Sequence, residues 1–441
     1  MLPRVMIAAP SSGSGKTLVT CGILQALVNR GMKTASFKCG PDYIDPMFHS
    51  RIIGTRSKNL DAFFVDEDTL RYLFAKGADG CDISVIEGVM GFYDGIAVDS
   101  SFASSCDVSL KTRTPVILLL DCRGASLSVI PVVKGFMEFR ENRIAGVIFN
   151  RMSEKVFKTI APEIEKMGVK AIGYVPKVDD LVLESRHLGL VLPHEVEDLK
   201  DKLNRLAKIL ETTLDIDEML KIAHDAPDLD AVAPKLPMPD GKVRIGLADD
   251  EAFCFIYEDN LDILRRMGAE IVRFSPLKDR ALPDVDGIIL PGGYPELHME
   301  ELESNSSMRE SVKAALEGEM PCMAECGGFM YLHSGIEDAE GRIRPMCGVI
   351  DGNVRDKHKL IRFGYATFSK DGLWVKGHEF HYWDSDDCGS DWIAKKNSGK
   401  SYECIHDDGR TIAGFPHFYY YSNPELPLEF IRRCLAYRRA R

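Results

Sequence analysis

A loop of small residues lies near the start of the chain, at Pro10-Ser11-Ser12-Gly13-Ser14-Gly15-Lys16-Thr17. The apolar run Val5–Ala9 precedes this loop and the stretch Leu18–Asn29 follows it, so the loop joins a predicted strand to a predicted helix. Backbone N–H groups at such a helix N-terminus point at phosphates. We therefore predict a P-loop for ATP, in which Gly13, Ser14, Gly15, Lys16 and Thr17 bind the nucleotide.

Within this loop, Lys16 is expected to contact the terminal phosphates, and Thr17 to offer its hydroxyl to Mg²⁺. The strict pattern has Gly where this chain has Pro10. An ordinary Gly/Ser turn that caps a helix is the alternative. The strand–loop–helix context and the run Gly-x-Gly-Lys-Thr favour the P-loop.

Short apolar runs alternate with amphipathic stretches in the first half of the chain. This alternation predicts an α/β domain with a mostly parallel sheet covered on both faces. The predicted strands are Val5–Ala9, Ala35–Lys38, Ile83–Glu87, Val116–Asp121, Val147–Asn150 and Ala171–Val175. A helical stretch follows at Val196–Leu210, and a proline-rich segment without periodicity then predicts a linker at residues 224–241. We expect domains at residues 1–223 and 242–441.

The same pattern restarts after the linker and predicts a second α/β domain. Its strands are Val243–Ala248, Ile271–Phe274, Gly287–Pro291 and Cys322–Glu325, with a helix at Asn260–Met267. Beyond residue 345, the runs His378–Trp383 and Thr411–Phe415 are typical of antiparallel edge strands. A closing helix is predicted at Glu425–Tyr437.

Carboxylates near the predicted strand ends suggest metal chemistry in the first domain. Asp42 and Asp45 lie in one Pro/Gly-flanked segment, and Glu87 and Asp94 lie in another. Glu87 ends an apolar strand, where open α/β sheets bind ligands, and a hard cation prefers such oxygens. Asp42 and Asp94 could equally serve as turn residues. Lys38 ends another strand and could also face the phosphates.

A second chemistry is predicted around Cys326, in Ala324-Glu325-Cys326-Gly327-Gly328. This cysteine follows a strand and opens a probable helix, which is the elbow that exposes a nucleophile and lowers a thiol pKa. Gly293, in the loop after the Gly287–Pro291 strand, and Gly327 can each turn an N–H toward an oxyanion. A buried structural cysteine is the alternative, and it is the better interpretation of the other eleven cysteines.

The thiol needs a base, and three histidines compete for that role: His378, His381 and His417. A lone histidine among aromatic residues is more often a packed side chain, so the residues alone leave the assignment open.

Bulk composition excludes several classes of protein. The chain has 441 residues, 45% hydrophobic and 28% charged, with a formal net charge of −12, which argues against a nucleic-acid partner. None of the 12 cysteines forms a Cys-x-x-Cys pair, and no apolar run approaches the roughly 20 residues that span a bilayer. We expect a cytoplasmic protein with no membrane partner.

Taken together, these stretches resemble the cobyrinic acid a,c-diamide synthase family over nearly the whole chain. The segments that carry the resemblance, in matching order, are 12–17, 40–46, 87–91, 184–189, 290–296, 325–328, 377–381 and 422–425. The resemblance implies a first domain similar to dethiobiotin synthetase and a second domain of the class I glutamine amidotransferase type. It implies an ATP- and glutamine-dependent ligase, with Mg²⁺ as cofactor, that amidates the a and c carboxylates of cobyrinic acid through an acyl phosphate.

The resemblance also implies roles for individual residues. Cys326 would be the glutaminase nucleophile and His417 its base, although this chain has Gly414-Phe415 and then His417 where the family often has His-Leu-His after a Ser-Tyr pair. Thr17, Asp45, Glu87 and Asp94 would serve the metal. The residues facing the activated carboxylate would be Asp42, Tyr43 and Ile44. Expected partners are ATP, glutamine and cobyrinic acid or a related tetrapyrrole polycarboxylate, and we keep a homodimer open.

Three alternatives remain at this stage. Enzymes that the chain also resembles amidate nickel-sirohydrochlorin or sirohaem by the same chemistry, and either could be its activity. Cobyric acid synthase, another amidating enzyme, is a more distant alternative. From another class, a partitioning-type ATPase switch with an inactive amidotransferase domain usually has an extra Lys where this chain has Ser11. The basic run 355–362, together with Arg186 and His187, could bind a polycarboxylate, or the run could be a solvated loop.

Overall fold

The computed structural model of the protein describes residues 2–178 and 193–441, with the side chains of residues 193–197 excepted. The predicted segment 184–189, with Arg186 and His187, lies outside the described residues. The chain divides into two compact units, Met1–Pro234 and Lys235–Arg441. Within the described ranges, no helix combines the length and apolarity that a membrane crossing requires.

Parallel strands form the centre of the first unit. They are β1 (Arg4–Ala8), β2 (Thr34–Cys39), β3 (Arg56–Leu60), β4 (Ile83–Glu87), β5 (Val116–Asp121), β6 (Ile144–Asn150) and β7 (Lys170–Val175). The strand order is β3-β2-β4-β1-β5-β6-β7, and every pairing is parallel. The predicted parallel α/β fold is therefore confirmed, and the carboxyl ends of β1, β2 and β4 meet at one edge of the sheet.

Helices surround this sheet. They are α1 (Lys16–Asn29), α2 (Ile44–Phe48), α3 (Glu67–Ala78), α4 (Ser105–Lys111), α5 (Val129–Phe139), α6 (Glu154–Glu165), α7 (Pro193–Thr213) and α8 (Ile216–His224). The core joins β1, β4 and β5 to α1 and α7 through buried aliphatic side chains such as Ile7, Leu24 and Leu206. This packing anchors α1, whose first residue is Lys16.

The predicted linker at 224–241 begins against the first unit. An Arg4 side-chain N–H donates to the Pro227 carbonyl at 2.5 Å, and Arg113 donates to the Asp228 carbonyl at 3.0 Å. The division between the two compact units falls further along, between Pro234 and Lys235.

The second unit also has a mainly parallel central sheet, with strand order β20-β21-β11-β10-β8-β9. Its strands are β8 (Val243–Ala248), β9 (Ala269–Phe274), β10 (Gly287–Leu290), β11 (Cys322–Glu325), β20 (His406–Asp407) and β21 (Thr411–Gly414). Its helices are α9 (Glu258–Arg266), α10 (Met299–Ser304), α11 (Ser306–Glu317), α12 (Gly327–Leu332) and α13 (Glu425–Ala440).

Two smaller sheets complete this unit. One, in the order β13-β12-β14-β17, contains β12 (His333–Glu337), β13 (Ile343–Pro345), β14 (Ile350–Asp356) and β17 (Trp383–Ser385). The other, in the order β19-β18-β15-β16-β22, contains β15 (Arg362–Lys370), β16 (Leu373–His381), β18 (Trp392–Lys396), β19 (Ser401–Cys404) and β22 (His417–Phe418). The pairing within this second sheet is antiparallel.

One strand prediction in this region is wrong. The sequence predicts an antiparallel edge strand at Thr411–Phe415. β21 does pair antiparallel with the edge strand β20, but it is not itself at the edge, because it pairs parallel with β11 on its other side. Its Ile412 and Ala413 are buried on a strand that is covered on both faces. This placement brings the chain just before His417 next to the strand that ends at Glu325.

Candidate active site

The phosphate loop is held in a conformation that only glycine adopts easily. Gly13 and Gly15 have φ angles of +76° and +92°. A Cβ atom on Gly15 would lie 2.5 Å from the Nδ2 atom of Asn150, which donates to the Ser14 carbonyl at 2.8 Å. The end of β6 therefore fixes the loop, and a larger residue at position 15 would displace this contact.

Lys16 is the first residue of α1, and its side chain folds back over the loop. Its Nζ atom donates to the carbonyls of Met90, at 2.5 Å, and Ser11, at 3.1 Å. The residue is 8% exposed. Burial, and then the positive charge of Lys38, lowers the pKa of Lys16. The ammonium group is thus already positioned at the mouth of the loop by two carbonyl oxygens.

A buried charged cluster lies behind the loop. The Thr17 hydroxyl donates to Glu87 at 2.7 Å and lies 3.5 Å from Asp45. Lys38 Nζ lies 2.5 Å from Asp45 and 2.7 Å from Glu87, and His49 Nε2 lies 3.4 Å from the other Glu87 oxygen. Lys38 and Glu87 are directly paired across β2 and β4, so the register of the sheet creates the contact.

The two carboxylates of this cluster are pushed in opposite directions. Burial would raise the pKa of Glu87, but the charge of Lys38 and its contact with His49 hold that pKa well below its usual range. Burial and the Glu87 charge raise the pKa of Asp45 to about 8. One cation therefore serves two carboxylates, and the cluster keeps a capacity for additional positive charge.

The other predicted carboxylates have local partners. Asp94 accepts a hydrogen bond from the Gly91 N–H at 3.0 Å, within its own loop. Asp42 accepts from the N–H groups of Ile44, at 2.8 Å, and Asp45, at 3.3 Å, and so caps α2. Both side chains therefore make the local turn contacts that the sequence analysis considered, and their part in the site stays a prediction. Tyr43 is buried just before α2, and Ile44 is its half-buried first residue.

Only some of the residues predicted to bind the metal lie together in the structure. In the described part of the chain, no group of three or more His, Cys, Asp or Glu side chains has the spacing of a metal site. Thr17, Asp45 and Glu87 nevertheless converge, and all three offer the oxygen atoms that Mg²⁺ prefers. Asp94 instead lies in the loop whose Met90 carbonyl holds Lys16.

In the second unit, Cys326 occupies a sharp elbow between β11 and α12. Its backbone has φ +47° and ψ −105°, a conformation that is strained for any residue other than glycine. The Cys326 N–H donates to the Gly414 carbonyl at 2.8 Å, and its own carbonyl accepts from the Met330 N–H at 2.9 Å. The predicted strand–turn–helix geometry is present, and strain of this kind clusters at functional sites.

Gly293 and Gly327 lie close together beside this elbow. A Cβ atom on Gly327 would lie 3.0 Å from the Gly293 nitrogen, and one on Gly293 would lie 2.1 Å from the Ala252 carbonyl. A Cβ atom on Gly328 would lie 2.0 Å from the Leu290 carbonyl. Only glycine lets the two loops approach so closely, and the approach brings the two candidate oxyanion donors together.

The thiol itself does not have the lowered pKa expected from its position before a helix. Burial, and then the charge of Glu296, raises the pKa of Cys326 well above its ordinary value, and the Gly327 N–H offsets this only in part. The reason is that the residue is 7% exposed and α12 is only six residues long. The thiol therefore needs a proton acceptor at the moment of attack.

His417 is a neutral side chain suited to accept that proton. It lies on β22, opposite His378 of β16, and their rings stack with centroids 5.0 Å apart. Burial lowers the pKa of His417 well below its ordinary value, and the two neighbouring histidines, His378 and His381, act in the same direction. Its Nδ1 atom lies 3.9 Å from the Glu325 carboxylate.

The two rival histidines have other surroundings. The Tyr257 hydroxyl lies 3.5 Å from His378 Nδ1, and burial lowers the pKa of His378 to about 3. His381 Nδ1 donates to the Trp383 carbonyl at 2.6 Å, and its ring stacks on Phe415 at 4.0 Å. Both rings are therefore held by contacts with neighbouring aromatic or backbone groups, and the choice of His417 as base stays a prediction.

Sequence reasoning missed three residues of these sites. Asn150 was taken only as a strand end, His49 was not singled out, and Glu325 was noted only as part of the cysteine motif. Asn150 ends β6 and Glu325 ends β11, so their position at the carboxyl end of a parallel strand was the available signal. Their contacts depend on segments distant in the chain, which no local pattern reveals.

Comparison with known proteins gives matches in both units. Residues 5–191 match the CobQ/CobB/MinD/ParA nucleotide binding domain, and residues 244–424 match the CobB/CobQ-like glutamine amidotransferase domain.

Among the relatives that match over almost the full length, three examples are each named cobyrinate a,c-diamide synthase. The protein of Listeria innocua serovar 6a is 40% identical over 97% of this chain and 98% of its own length. That of Salmonella typhimurium is 37% identical over 96% of both chains. That of Priestia megaterium is 35% identical over 99% of this chain and 98% of its own length. With a phosphate loop in one unit, a cysteine elbow in the other and this full-length similarity, the chain belongs to the cobyrinate a,c-diamide synthase family.

Proposed function

We propose that the protein amidates the a and c carboxylates of cobyrinic acid, using ATP and nitrogen from glutamine. The observation that carries the proposal is the presence of two constellations in one chain. Lys16 and Thr17 lie beside buried carboxylates, and Cys326 lies on a strained elbow beside Gly293, while the His417 ring lies against the neighbouring Gly292. The full-length similarity to cobyrinate a,c-diamide synthases supports the choice of substrate.

In the glutaminase half-reaction, the Cys326 sulfur attacks the side-chain amide carbon of glutamine. His417 takes the thiol proton and passes it to the departing ammonia. The N–H groups of Gly293 and Gly327 stabilise the oxyanion that forms. Water then hydrolyses the thioester, which releases glutamate and restores the thiol.

In the synthetase half-reaction, a substrate carboxylate attacks the γ-phosphorus of ATP, giving an acyl phosphate and ADP. Lys16, with Gly13, Ser14 and Gly15, holds the phosphates and offsets the developing charge. Ammonia then displaces phosphate to give a primary amide. The segment Asp42–Ile44 lies beside the Asp45–Glu87 cluster through α2, which supports its assignment to the substrate carboxylate.

Thr17, Asp45 and Glu87 would hold Mg²⁺, which when bound supplies positive charge to the phosphate oxygens. Asp94 would serve this site from the neighbouring loop, because it accepts a hydrogen bond within the loop whose Met90 carbonyl positions Lys16. All twelve cysteines are thiols, which suits a reducing cytoplasm. The homodimer stays a prediction.

The test is replacement of the proposed nucleophile. We expect Cys326→Ala to lose glutamine-driven amidation and to keep amidation driven by ammonium salts, because only the first needs the thiol. Product formation is measured with each nitrogen source. Cys322→Ala is the matched control, since Cys322 is a fully buried cysteine at the start of β11, the strand that leads to Cys326. Unchanged glutamine-driven activity in Cys326→Ala would overturn the proposal for the thiol.

A further inference from the structure

A histidine that takes a proton from a thiol needs its ring held in one orientation and one tautomer. The residues after His417 are Phe418 and Tyr419, neither of which carries a carboxylate or an amide. The orienting group must therefore come from elsewhere in the fold. This question rests on the proposed function, because it concerns the base of the proposed glutaminase site.

Glu325 lies in the place where such a group is needed. It ends β11, directly before Cys326, and it is paired across the sheet with Gly414, three residues before His417. One carboxylate oxygen lies 3.9 Å from His417 Nδ1, and the side chain is 8% exposed. The other oxygen, Oε1, has no hydrogen-bond partner among the residues that the structure describes.

The backbone keeps this carboxylate near the imidazole. The backbone N–H of Phe418, the residue directly after His417, lies close enough to the Glu325 carboxylate to lower its pKa. The distance of 3.9 Å to Nδ1 is longer than a hydrogen bond, and catalytic contacts are commonly long before substrate binds and shorten in the complex. A buried carboxylate with spare acceptor capacity gains a partner when the contact shortens.

We infer that Glu325 is the positioning residue for His417: its carboxylate accepts a hydrogen bond from the Nδ1–H, so that Nε2 is left to take the proton of Cys326. This gives one dipeptide, Glu325-Cys326, two roles: it presents the nucleophile and it orients the base. No oxidant or further reactant is required, because the proton on Nδ1 stays there throughout.

Two other titratable groups near His417, His378 and Glu379, have their own contacts. His378 stacks on the ring, and its own pKa is lowered to about 3 by burial, so it is neutral. Glu379 is bound by the Tyr402 hydroxyl, lies 3.4 Å from Arg362 and lies 3.7 Å from His381. Of these two described carboxylates, Glu325 is the one with an oxygen that lacks a hydrogen-bond partner.

The inference predicts a particular pH dependence. Burial raises the pKa of Glu325 to about 8, and the Phe418 N–H only partly opposes this. The carboxylate form therefore increases as pH rises through about 8, and glutamine hydrolysis should rise with it. His417 stays neutral across this range because its pKa is lowered. A rate that rises near pH 8 and depends on Glu325 is the expected signature.

The experiment measures glutamate release from glutamine by the full-length protein between pH 6 and pH 9.5. We expect Glu325→Gln to lower kcat by about 10- to 100-fold, with little change in KM for glutamine, and to remove the rise near pH 8. Glu325→Asp should recover part of kcat and keep a rising limb. The control is Asp286→Asn, which removes a buried carboxylate just before the amino end of β10, whereas Glu325 lies at the carboxyl end of β11. This variant should behave as wild type.

Two results would overturn the inference. In the first, Glu325→Gln keeps the wild-type kcat and the wild-type rise in rate near pH 8. In the second, Glu325→Asp is as inactive as Glu325→Gln, and both variants lose ammonia-driven amidation equally. The second result would indicate a purely structural residue. A different result would contradict the proposed function itself: wild-type protein that forms no amide when supplied with ammonia and ATP.

Discussion

At the scale of single residues, Lys16 shows how a phosphate site is prepared before ligand binds. Its ammonium group is held by the carbonyls of Ser11 and Met90, in two different loops. Holding a long side chain in one geometry costs conformational entropy, and here that cost is met on folding. The phosphates of a nucleotide would replace the two carbonyl partners with stronger, charged ones.

Replacing Lys16 with methionine should therefore affect only the synthetase half-reaction. We expect Lys16→Met to lower ADP formation by about 100-fold, roughly 2.7 kcal/mol in barrier height, whether nitrogen comes from glutamine or ammonia. Glutamine hydrolysis should persist. A coupled assay for ADP measures the effect, and Lys33→Met, at an exposed lysine before β2, is the control. Normal ADP formation in Lys16→Met would contradict the assigned role.

The residue scale also shows where sequence reasoning stops. Cys326 could be singled out because a cysteine between a strand and two glycines is a local pattern. Glu325 occupies the adjacent position, yet its significance depends on the pairing of β11 with β21 and on β22 beyond it. The raised thiol pKa was missed for the same reason, since burial is produced by the whole fold.

At the scale of elements, apolar strands were predictable and polar ones were not. β1 and β4 are buried along their full length, so their apolar runs were recognisable. β3, with the sequence Arg-Ser-Lys-Asn-Leu, was missed because it lies at the sheet edge and only its last two residues are buried. β21 was recognised as a strand but placed at an edge, since one strand's sequence does not reveal its neighbours.

The β16–β22 pair makes a prediction about stability, because it buries two facing histidines in neutral form. The pKa of His378 is lowered to about 3, whereas a histidine in the unfolded chain titrates near about 6.5. Between these values the unfolded state binds a proton that the folded state does not. Unfolding free energy should therefore rise with pH across this window, by about 1.4 kcal/mol per pH unit for each such group.

We expect His378→Gln to reduce this pH slope by about one proton between pH 4 and pH 6. Urea unfolding followed by tryptophan fluorescence measures it, since all three tryptophans, Trp374, Trp383 and Trp392, lie in the second unit. His358→Gln, at a side chain that is 86% exposed, should leave the slope unchanged. An unaltered slope in His378→Gln would show that His378 is not the group responsible.

At the scale of the whole molecule, each unit carries one half of the proposed chemistry. The proposed nucleotide-binding residues lie in Met1–Pro234, and the thiol with its proposed base and oxyanion donors lies in Lys235–Arg441. Ammonia made in one unit must be consumed in the other. Substitutions in the second unit should therefore be bypassed by external ammonia, whereas substitutions around Lys16 should not.

The most direct measurement is an incubation of the purified protein with ATP, Mg²⁺, glutamine and cobyrinic acid, followed by mass spectrometry of the macrocycle and assays of ADP and glutamate. We predict a product that has gained two amides, with two ADP and two glutamate formed for each molecule of product. Formation of neither ADP nor glutamate, with the macrocycle unchanged, would contradict the proposed coupling of the two half-reactions.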